Sequence, residues 1–317
     1  MKTLPFMQHS TYETTDFEDL QEAASAWDQE YTQLSPGQFF GSMELTEVGT
    51  TQVMREKWGR KMRYRGVGIP GGYGFALPLG STNSVNWLGS SVEQTSVVMQ
   101  SPYLEAQLVS DDTWDSLVLS FPMEEVQAIL IALSGGIDLS HRLHGNLVLN
   151  QAKADRIKRG GLSLLQKTKS CSPKDHAVYA AQVDQFKKQF LWTLLESFNE
   201  FLVPSPPSKQ GIIVQKATDL ALADFPEVLG LIDICTNLGI SLRSLHYAFQ
   251  DVAGISPATW LRRVRLNQVY RVLKNSDPME TKIKRVAAEH GFLHLGHFSN
   301  QYKQLFGHLP SHTHRVN

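Results

Sequence analysis

Two stretches in the last third of the chain repeat one arrangement of apolar positions. Each arrangement predicts a pair of short helices joined by a turn that needs glycine or another residue tolerant of positive φ. Around Gly239 the apolar positions are Leu231, Ile234, Cys235, Leu238, Leu242, Leu245, Phe249 and Val252. Around Gly291 they are Val286, Ala287, Leu295, Phe298, Tyr302 and either Leu305 or Phe306. The pattern therefore predicts two helix-turn-helix units, at about 228–252 and 283–306.

The two units keep a common register. One constant separation along the chain joins Leu245 with Phe298, Phe249 with Tyr302, Gly254 with Gly307, and Pro257 with Pro310. Such a spacing indicates that a supersecondary unit has been duplicated. The alternative, two ordinary helical hairpins in an all-α domain, does not account for the shared register.

The second helix of each unit leaves polar side chains on its solvent face. They are Arg243, Ser244, His246, Tyr247 and Gln250 in the first unit, and His294, His297, Ser299, Asn300 and Lys303 in the second. Hydrogen-bonding and cationic side chains of this kind contact base edges and phosphates in a major groove. We therefore predict that they bind double-stranded DNA. An arginine-rich helix over 258–273 would hold the two recognition helices about one turn of DNA, ~34 Å, apart.

The first two thirds of the chain have a different pattern. Residues 17–33 place apolar side chains at three- and four-residue steps, which predicts an amphipathic helix. The chain then breaks into short stretches separated by glycine, proline and serine, which predicts a β-sandwich or a small barrel. The candidate strands are 39–48, 51–58, 62–69, 73–79, 84–90, 94–100, 104–109 and 115–121.

Further helices are predicted at 122–133, 151–166 and 175–203. The last of these has a broad apolar face, which either packs on the chain's own β-domain or is covered by a partner subunit. Residues 204–211 are rich in proline and mark a linker. The sequence thus predicts an α+β chain with a β-rich, barrel- or sandwich-like sensor domain and flanking helices at 1–203, and an all-α domain at 212–317.

Composition and charge agree with this division. A chain of 317 residues with 42% apolar and 19% charged residues is typical of a soluble globular protein that can form two cores. Residues 212–317 hold more basic than acidic side chains, whereas residues 1–211 show the reverse, as expected if the C-terminal domain binds a polyanion. No apolar run is long enough to span a membrane, and the N-terminus lacks the apolar stretch of a secretory signal. We therefore expect a cytoplasmic protein without membrane contacts.

Other patterns offer little chemistry. The glycines between residues 66 and 74 lack the G-x-G-x-x-G spacing of a dinucleotide loop, and Pro70 interrupts them. His141 and His144 have no third ligand at metal-binding spacing, and the two cysteines, Cys171 and Cys235, indicate neither disulfides nor a metal site. Residues 1–211 show no nucleophile–base pair or paired carboxylates, so we predict no enzymatic activity and no cofactor. Aromatic residues on predicted strands are candidates for effector binding, although they also suit a core: Trp58, Tyr64 and Trp87.

Four segments, 244–249, 254–257, 260–266 and 291–298, resemble the AraC/XylS family of bacterial transcription regulators. The resemblance implies a seven-helix DNA-binding domain that mostly acts as an activator and touches RNA polymerase. It places Arg243, His246 and Tyr247 at base-reading positions of the first unit, and Leu295, Gly296, His297 and Asn300 near the corresponding positions of the second. Since Leu295 and Gly296 offer little hydrogen bonding, we expect the first unit to carry most direct readout. Leu309 also replaces the Ser or Thr that usually precedes the second unit's proline.

The N-terminal part resembles known regulators over a shorter stretch. Trp27, Tyr31 and residues 34–41 are similar to the ethanolamine-operon type of regulator, and the second helix-turn-helix unit is also similar to the benzoate/toluate type. Both resemblances imply that the N-terminal domain senses a small molecule, but they do not agree on its identity. The effector therefore stays open.

These observations predict a sequence-specific DNA-binding transcriptional regulator, an activator that responds to a small-molecule effector, forms a homodimer and associates with the bacterial nucleoid. Three alternatives remain. The chain could be an enzyme that its helical domain tethers to DNA, a co-regulator that uses its helical hairpins for protein contacts, or a regulator that senses no ligand.

Overall fold

The computed structural model describes residues 7–24, 26–169, 172–199, 207–223 and 229–314, and the chain has the predicted α+β architecture. The strands within these residues are β1 (Met7–Thr14), β2 (Asp28–Gln33), β3 (Gly41–Val48), β4 (Thr51–Trp58), β5 (Met62–Gly68), β6 (Gly72–Pro78), β7 (Asn86–Trp87), β8 (Ser90–Ser91), β9 (Ser96–Gln100), β10 (Ala106–Val109), β11 (Trp114–Pro122) and β12 (Gly145–Val148). The helices are α1 (Phe17–Ala23), α2 (Met123–Leu133), α3 (Gln151–Thr168), α4 (His176–Asn199), α5 (Lys209–Ala223), α6 (Leu231–Leu238), α7 (Leu242–Ala253), α8 (Pro257–Lys274), α9 (Ile283–Glu289), α10 (Leu295–Phe306) and α11 (Pro310–Thr313).

The strands form two antiparallel sheets. The larger sheet has seven strands in the order β1-β3-β4-β11-β6-β9-β12, and the smaller has five in the order β2-β5-β10-β7-β8. Side chains from both sheets meet in one apolar cluster, which includes Tyr31, Trp58, Tyr64 and Trp87. Two sheets that pack face to face in this way confirm the predicted β-rich domain.

The prediction of one helix over 17–33 is wrong. The helix begins after Asp16, whose carboxylate accepts the Glu18 N–H at 2.9 Å, and it ends at Ala23. Residues 28–33 instead form β2, which pairs with β5. Trp27 and Tyr31 are four residues apart, a spacing that fits one face of a strand as well as one face of a helix. The sequence pattern alone therefore could not separate the two structures.

The apolar face of α4 is covered by the chain's own domain. Phe190 packs edge-on against Phe75, with ring centroids 4.9 Å apart, and against Phe121 at 5.7 Å. These rings belong to a core that the larger sheet shares with α2, α3 and α4. Of the two alternatives left open for this helix, the structure shows packing on the β-domain.

The predicted linker at 204–211 overlaps the start of a helix. Residues 200–206 lie outside the described residues, as does Cys171, and α5 begins at Lys209. Ser208 accepts the Gly211 N–H through its hydroxyl at 2.9 Å, which caps the helix. A Cβ atom on Gly211 would lie 2.6 Å from the Leu88 carbonyl oxygen, so glycine permits the start of α5 to touch the β7–β8 hairpin.

Within residues 207–223 and 229–314 the C-terminal domain has seven helices, α5 to α11, the number that the family resemblance implied. Their cores are divided by α8. Trp260 and Val264 of this helix pack with α5, α6 and α7, whereas Val269 and Leu273 pack with α9, α10 and residues of the β-rich domain. Helix α8 is therefore shared by both helix-turn-helix units and by the N-terminal domain.

Polar contacts fix α8 against the edge of the smaller sheet. The fully buried Asn267 accepts the Gln33 N–H at 2.8 Å and donates to the Gln33 carbonyl at 3.0 Å. Its amide thus pairs with β2 as a neighbouring strand would. One turn further along, Arg271 forms ion pairs with Glu18 and Glu30, both at 2.8 Å. Lys274 continues the row by pairing with Asp16 at 2.8 Å.

Replacement of Asn267 by alanine is expected to destabilise the protein by roughly 2–4 kcal/mol, because two buried backbone groups of Gln33 lose their partners and a small cavity forms. Urea unfolding of the full chain measures the loss as a lower midpoint. Asn275→Ala, at the exposed end of the same helix, is the matched control and should change stability by less than about 1 kcal/mol. Equal losses in the two variants would contradict a special role for the Asn267 pairing.

Candidate nucleic-acid interface

The first helix-turn-helix unit consists of α6 and α7. Gly239 ends α6 with a φ of 63°, a left-handed conformation that glycine adopts without strain. Ser241 then caps α7, because its hydroxyl accepts the Ser244 N–H at 3.1 Å. Phe249 is buried and meets Trp260 of α8 edge-on at 5.6 Å. The turn, the cap and the buried ring fix the direction of α7.

The face of α7 opposite to this core is exposed. Arg243, Ser244, His246 and Gln250 are all exposed, and 63% of the Tyr247 surface is accessible. Among the described residues, no carboxylate forms an ion pair with Arg243, so its guanidinium is available for an external anion or base. The five residues predicted from the sequence therefore share one accessible helical face.

The second unit consists of α9 and α10. Gly291 has a φ of 81° in the turn, and Phe298 and Tyr302 are buried. Tyr302 stacks at 6.2 Å on Tyr270 of α8. Each unit is thus anchored to α8 through an aromatic side chain from its second helix.

Two positions assigned to the buried faces are wrong. Leu242 is 39% exposed and Leu295 is 38% exposed. Both are the first residue of a recognition helix, where the chain has not yet turned toward the core. In the second unit Phe292 fills the space instead, and its ring lies 5.3 Å from Phe298.

The second unit has a less polar recognition face than the first. His294, His297, Asn300 and Lys303 are exposed, whereas Ser299 is half-buried. The rings of His294 and His297 meet edge-on at 6.3 Å, and the exposed residues between them are Leu295 and Gly296.

Most arginines of α8 bind other groups of the protein and are therefore not free to contact DNA. Arg263 donates to the Leu34 carbonyl, Arg271 binds Glu18 and Glu30, and Arg265 donates to the Leu229 carbonyl at 3.1 Å. Arg262 is exposed. The basic helix expected to reinforce DNA binding is therefore largely an internal connector, which the sequence could not show because both roles need arginine.

The three aromatic effector candidates come together inside the N-terminal domain. Trp58, Tyr64 and Trp87 are buried and line one cavity of about 60 Å³ between the two sheets. Their predicted role as core residues and their role in a cavity wall are therefore both compatible with the structure. Effector binding at this cavity stays a prediction.

The cavity also contains a carboxylate that sequence reasoning missed. Glu56 is 4% exposed and accepts a hydrogen bond from the Tyr31 hydroxyl at 2.6 Å. Burial raises the pKa of Glu56 above its ordinary value of 4.5, and hydrogen bonds from Tyr31 and Trp58 oppose only part of that effect. A sequence signal existed, since Met54, Glu56 and Trp58 alternate along β4 on one face of the sheet.

The remaining sequence candidates have structural explanations. The glycines between residues 66 and 74 lie at the end of β5, in the connection that leads from one sheet to the other, and at the start of β6. Gly68 and Gly71 have positive φ there. Within the described residues, no three His, Cys, Asp or Glu side chains are grouped so that they could hold a metal ion. Cys235 is buried in α6 as a free thiol. Among the helices of the described part, none is both long and apolar enough to cross a membrane.

Comparison with known proteins gives consistent results for the C-terminal domain. Residues 234–315 match a family described as a helix-turn-helix domain. A probable thc operon regulatory protein of Rhodococcus erythropolis is 35% identical over 105 residues, which cover 33% of this chain and 31% of that protein. The XylDLEGF operon transcriptional activator 2 of Pseudomonas putida is 39% identical over 74 residues, 23% of this chain and 47% of that protein. The chain thus spans about a third and about half of the length of these two relatives.

A solved structure is also similar to this chain. It is a probable AraC family transcriptional regulator from Rhodopseudomonas palustris, with 31% identity and a TM-score of 0.30. The likeness covers 33% of this chain and 95% of that one.

Replacement of Glu56 by glutamine is expected to raise the melting temperature at pH 8. The native state raises the pKa of this acid, so the wild-type protein loses stability as pH rises from about 4.5 through the native pKa. The advantage of Glu56→Gln should therefore disappear toward pH 4, where the acid is protonated in both states. Thermal unfolding of both proteins from pH 4 to pH 8 measures it.

Glu13→Gln, at an exposed position of the same sheet, is the control and should follow the wild type at every pH. A Glu56→Gln variant that is less stable than the wild type at pH 8 would show that the charged carboxylate has a stabilising partner.

Proposed function

We propose that the protein is a sequence-specific transcriptional regulator, an activator that responds to a small-molecule effector, because its C-terminal domain matches a helix-turn-helix family and is similar to regulators of the AraC/XylS type. One observation carries the proposal: both recognition helices, α7 and α10, present their predicted DNA-contacting faces to solvent while their opposite faces are packed on α8. This arrangement supports binding to two successive major-groove segments of promoter DNA.

The two units divide the task of recognition. Arg243, His246, Tyr247 and Gln250 of α7 offer donors and acceptors at the ends of exposed side chains, which suits hydrogen bonds to base edges. The second unit presents Lys303 and two histidines, which suits contacts to phosphates and to the shape of the groove. The first unit would therefore set most of the sequence preference, and the second would mainly add affinity.

The cavity in the N-terminal domain supports effector binding, and β2 supplies a physical connection to the DNA-binding domain. The Tyr31 hydroxyl faces Glu56 in the cavity, while the Tyr31 carbonyl accepts a hydrogen bond from Arg271 of α8. Two residues later Gln33 is paired with Asn267. If β2 can take two placements in the domain, a ligand that binds more tightly to one of them would favour that placement. Because β2 is hydrogen-bonded to α8, the helix would shift with it and change the placement of the two helix-turn-helix units.

Other parts of the proposal depend on the family resemblance. These are contact with RNA polymerase, formation of a homodimer and action at the bacterial nucleoid. Since one face of α4 packs on its own sheet, a dimer through this helix would use the opposite face, where Val178 and Trp192 are exposed. The relatives are regulators, which argues against an enzyme. A co-regulator that acts through protein contacts would differ in binding its partner independently of salt and without affinity for DNA.

Selection of genomic fragments by the purified chain, followed by footprinting, tests the function directly. We expect a protected site in which two major-groove segments, about one helical turn apart, are contacted on the same face of the duplex. If the selected fragments share no protected site, the proposed function is wrong.

Replacement of Arg243 by alanine is expected to weaken binding to the selected site by about tenfold to a hundredfold, which corresponds to loss of one base contact worth about 1–3 kcal/mol. Binding to random DNA should fall much less. Lys303→Ala is the matched comparison, and it should weaken both kinds of binding alike and reduce the slope of log affinity against log salt by about one. Fluorescence anisotropy at several salt concentrations measures both effects, and equal losses on specific and random DNA for Arg243→Ala would assign that residue to the phosphates.

A further inference from the structure

The cavity between the two sheets is walled by a continuous series of aromatic rings. Trp87 stacks on Tyr64 at 6.3 Å, Tyr64 lies 6.3 Å from Tyr31, and Tyr31 meets Trp58 edge-on at 5.1 Å. Trp114 follows Trp58 at 6.2 Å. The rings come from both sheets, and all five line the same space. Aromatic faces carry partial negative charge, so such a wall attracts cations.

The polar part of the cavity is acidic and lacks a counter-charge. Among the described residues, no lysine, arginine or histidine forms an ion pair with Glu56. Its carboxylate accepts a hydrogen bond from the Tyr31 hydroxyl at 2.6 Å, and the neighbouring Trp58 indole is a second neutral donor. Ser116 is the cross-strand partner of Glu56 on β11. The Ser116 hydroxyl and the Trp87 indole N–H are buried in the described structure without a hydrogen-bond partner. A buried carboxylate without a cation is costly, and unpaired polar groups in the lining of the same cavity indicate a place for a ligand.

The size of the cavity limits that ligand. One water molecule needs about 10–15 Å³ of such free volume, so about 60 Å³ holds a compact molecule of roughly four to six non-hydrogen atoms. An anion would be repelled by Glu56 and by the ring faces. A neutral molecule would leave the carboxylate unpaired. A small cation with apolar substituents satisfies the acid and the rings together.

We propose that this cavity binds a small organic ammonium ion, whose charge pairs with Glu56 and whose alkyl groups lie against the rings of Trp58, Tyr64 and Trp87. Binding of the ion to the cavity does not depend on the proposed function. Only the statement that this ion is the effector rests on it. The same cation also lies beside Tyr31, the residue of β2 that is hydrogen-bonded to α8.

Four compounds of similar size test the inference on the full chain. The tert-butylammonium and tetramethylammonium ions carry the charge, tert-butanol keeps the shape without charge, and isobutyrate reverses the charge. Calorimetric titration and thermal unfolding are expected to show that both cations bind at least about tenfold more tightly than tert-butanol, and that isobutyrate does not bind. Binding of the cations should raise the melting temperature with concentration.

Two variants connect the binding to the cavity. Glu56→Gln should remove the preference for tert-butylammonium over tert-butanol, whereas the exposed Glu13→Gln should keep it. Trp87→Leu removes one ring without changing the charge and should weaken both cations. Cooperative thermal unfolding of each variant shows that it is folded. If Glu56→Gln does not fold, the result for Trp87→Leu still decides whether the cations bind in this cavity.

The outcomes separate this inference from the proposed function. Equal or tighter binding of tert-butanol or isobutyrate would overturn the cation inference while leaving an effector site in place. No binding of any compound would overturn it as well. Footprinting with and without tert-butylammonium tests DNA binding separately, and the absence of a protected site under both conditions would refute the DNA-binding function.

Discussion

The docking of α8 on the edge of the smaller sheet is the contact on which the rest of the structure depends. One side of the helix completes both helix-turn-helix cores, and the other side is held by Asn267 on the Gln33 backbone and by Arg271 between Glu18 and Glu30. A buried ion pair contributes little net stability but penalises any arrangement in which it is broken. The row of polar contacts therefore specifies one placement of the domains, while the apolar contacts of Val269 and Leu273 supply most of the stabilisation.

The same helix explains how charge is divided in this protein. Two basic residues that sequence composition assigned to a DNA-binding domain, Arg271 and Lys274, form ion pairs with acidic residues of the N-terminal domain instead. The excess of acidic residues in that domain is correspondingly used, in part, to bind α8. The basic residues left for a polyanion include Arg243 and Lys303 on the recognition helices and Arg262 on α8, all of which are exposed. The interior carboxylate Glu56 belongs to neither set, since it faces the cavity.

The sequence predicted the C-terminal domain well, because caps, turn glycines and helical periodicity are local signals, and Gly239, Ser241 and Phe249 act as expected. The candidate DNA-contacting residues were also placed on exposed faces, with Ser299 half-buried. Long-range partners left no such signal. Residues 28–33 became a strand because β5 lies beside them, and Glu56 became a cavity residue because strands distant in the chain surround it. Helical periodicity grouped Leu295 with the buried positions because it does not show where a helix leaves the core, whereas the family resemblance placed this residue near the base-reading positions.

Because β2 lies at the edge of its sheet, it would become accessible to other molecules if α8 moved away from it. An edge strand presents unpaired backbone groups that can join the strand of another molecule, and proteins commonly cover such edges. Here the Asn267 amide occupies that edge at Gln33, and α8 covers the apolar residues beside it. The helical domain therefore also protects its partner from self-association, so any motion that lifts α8 must be brief or limited if the protein is to avoid aggregation.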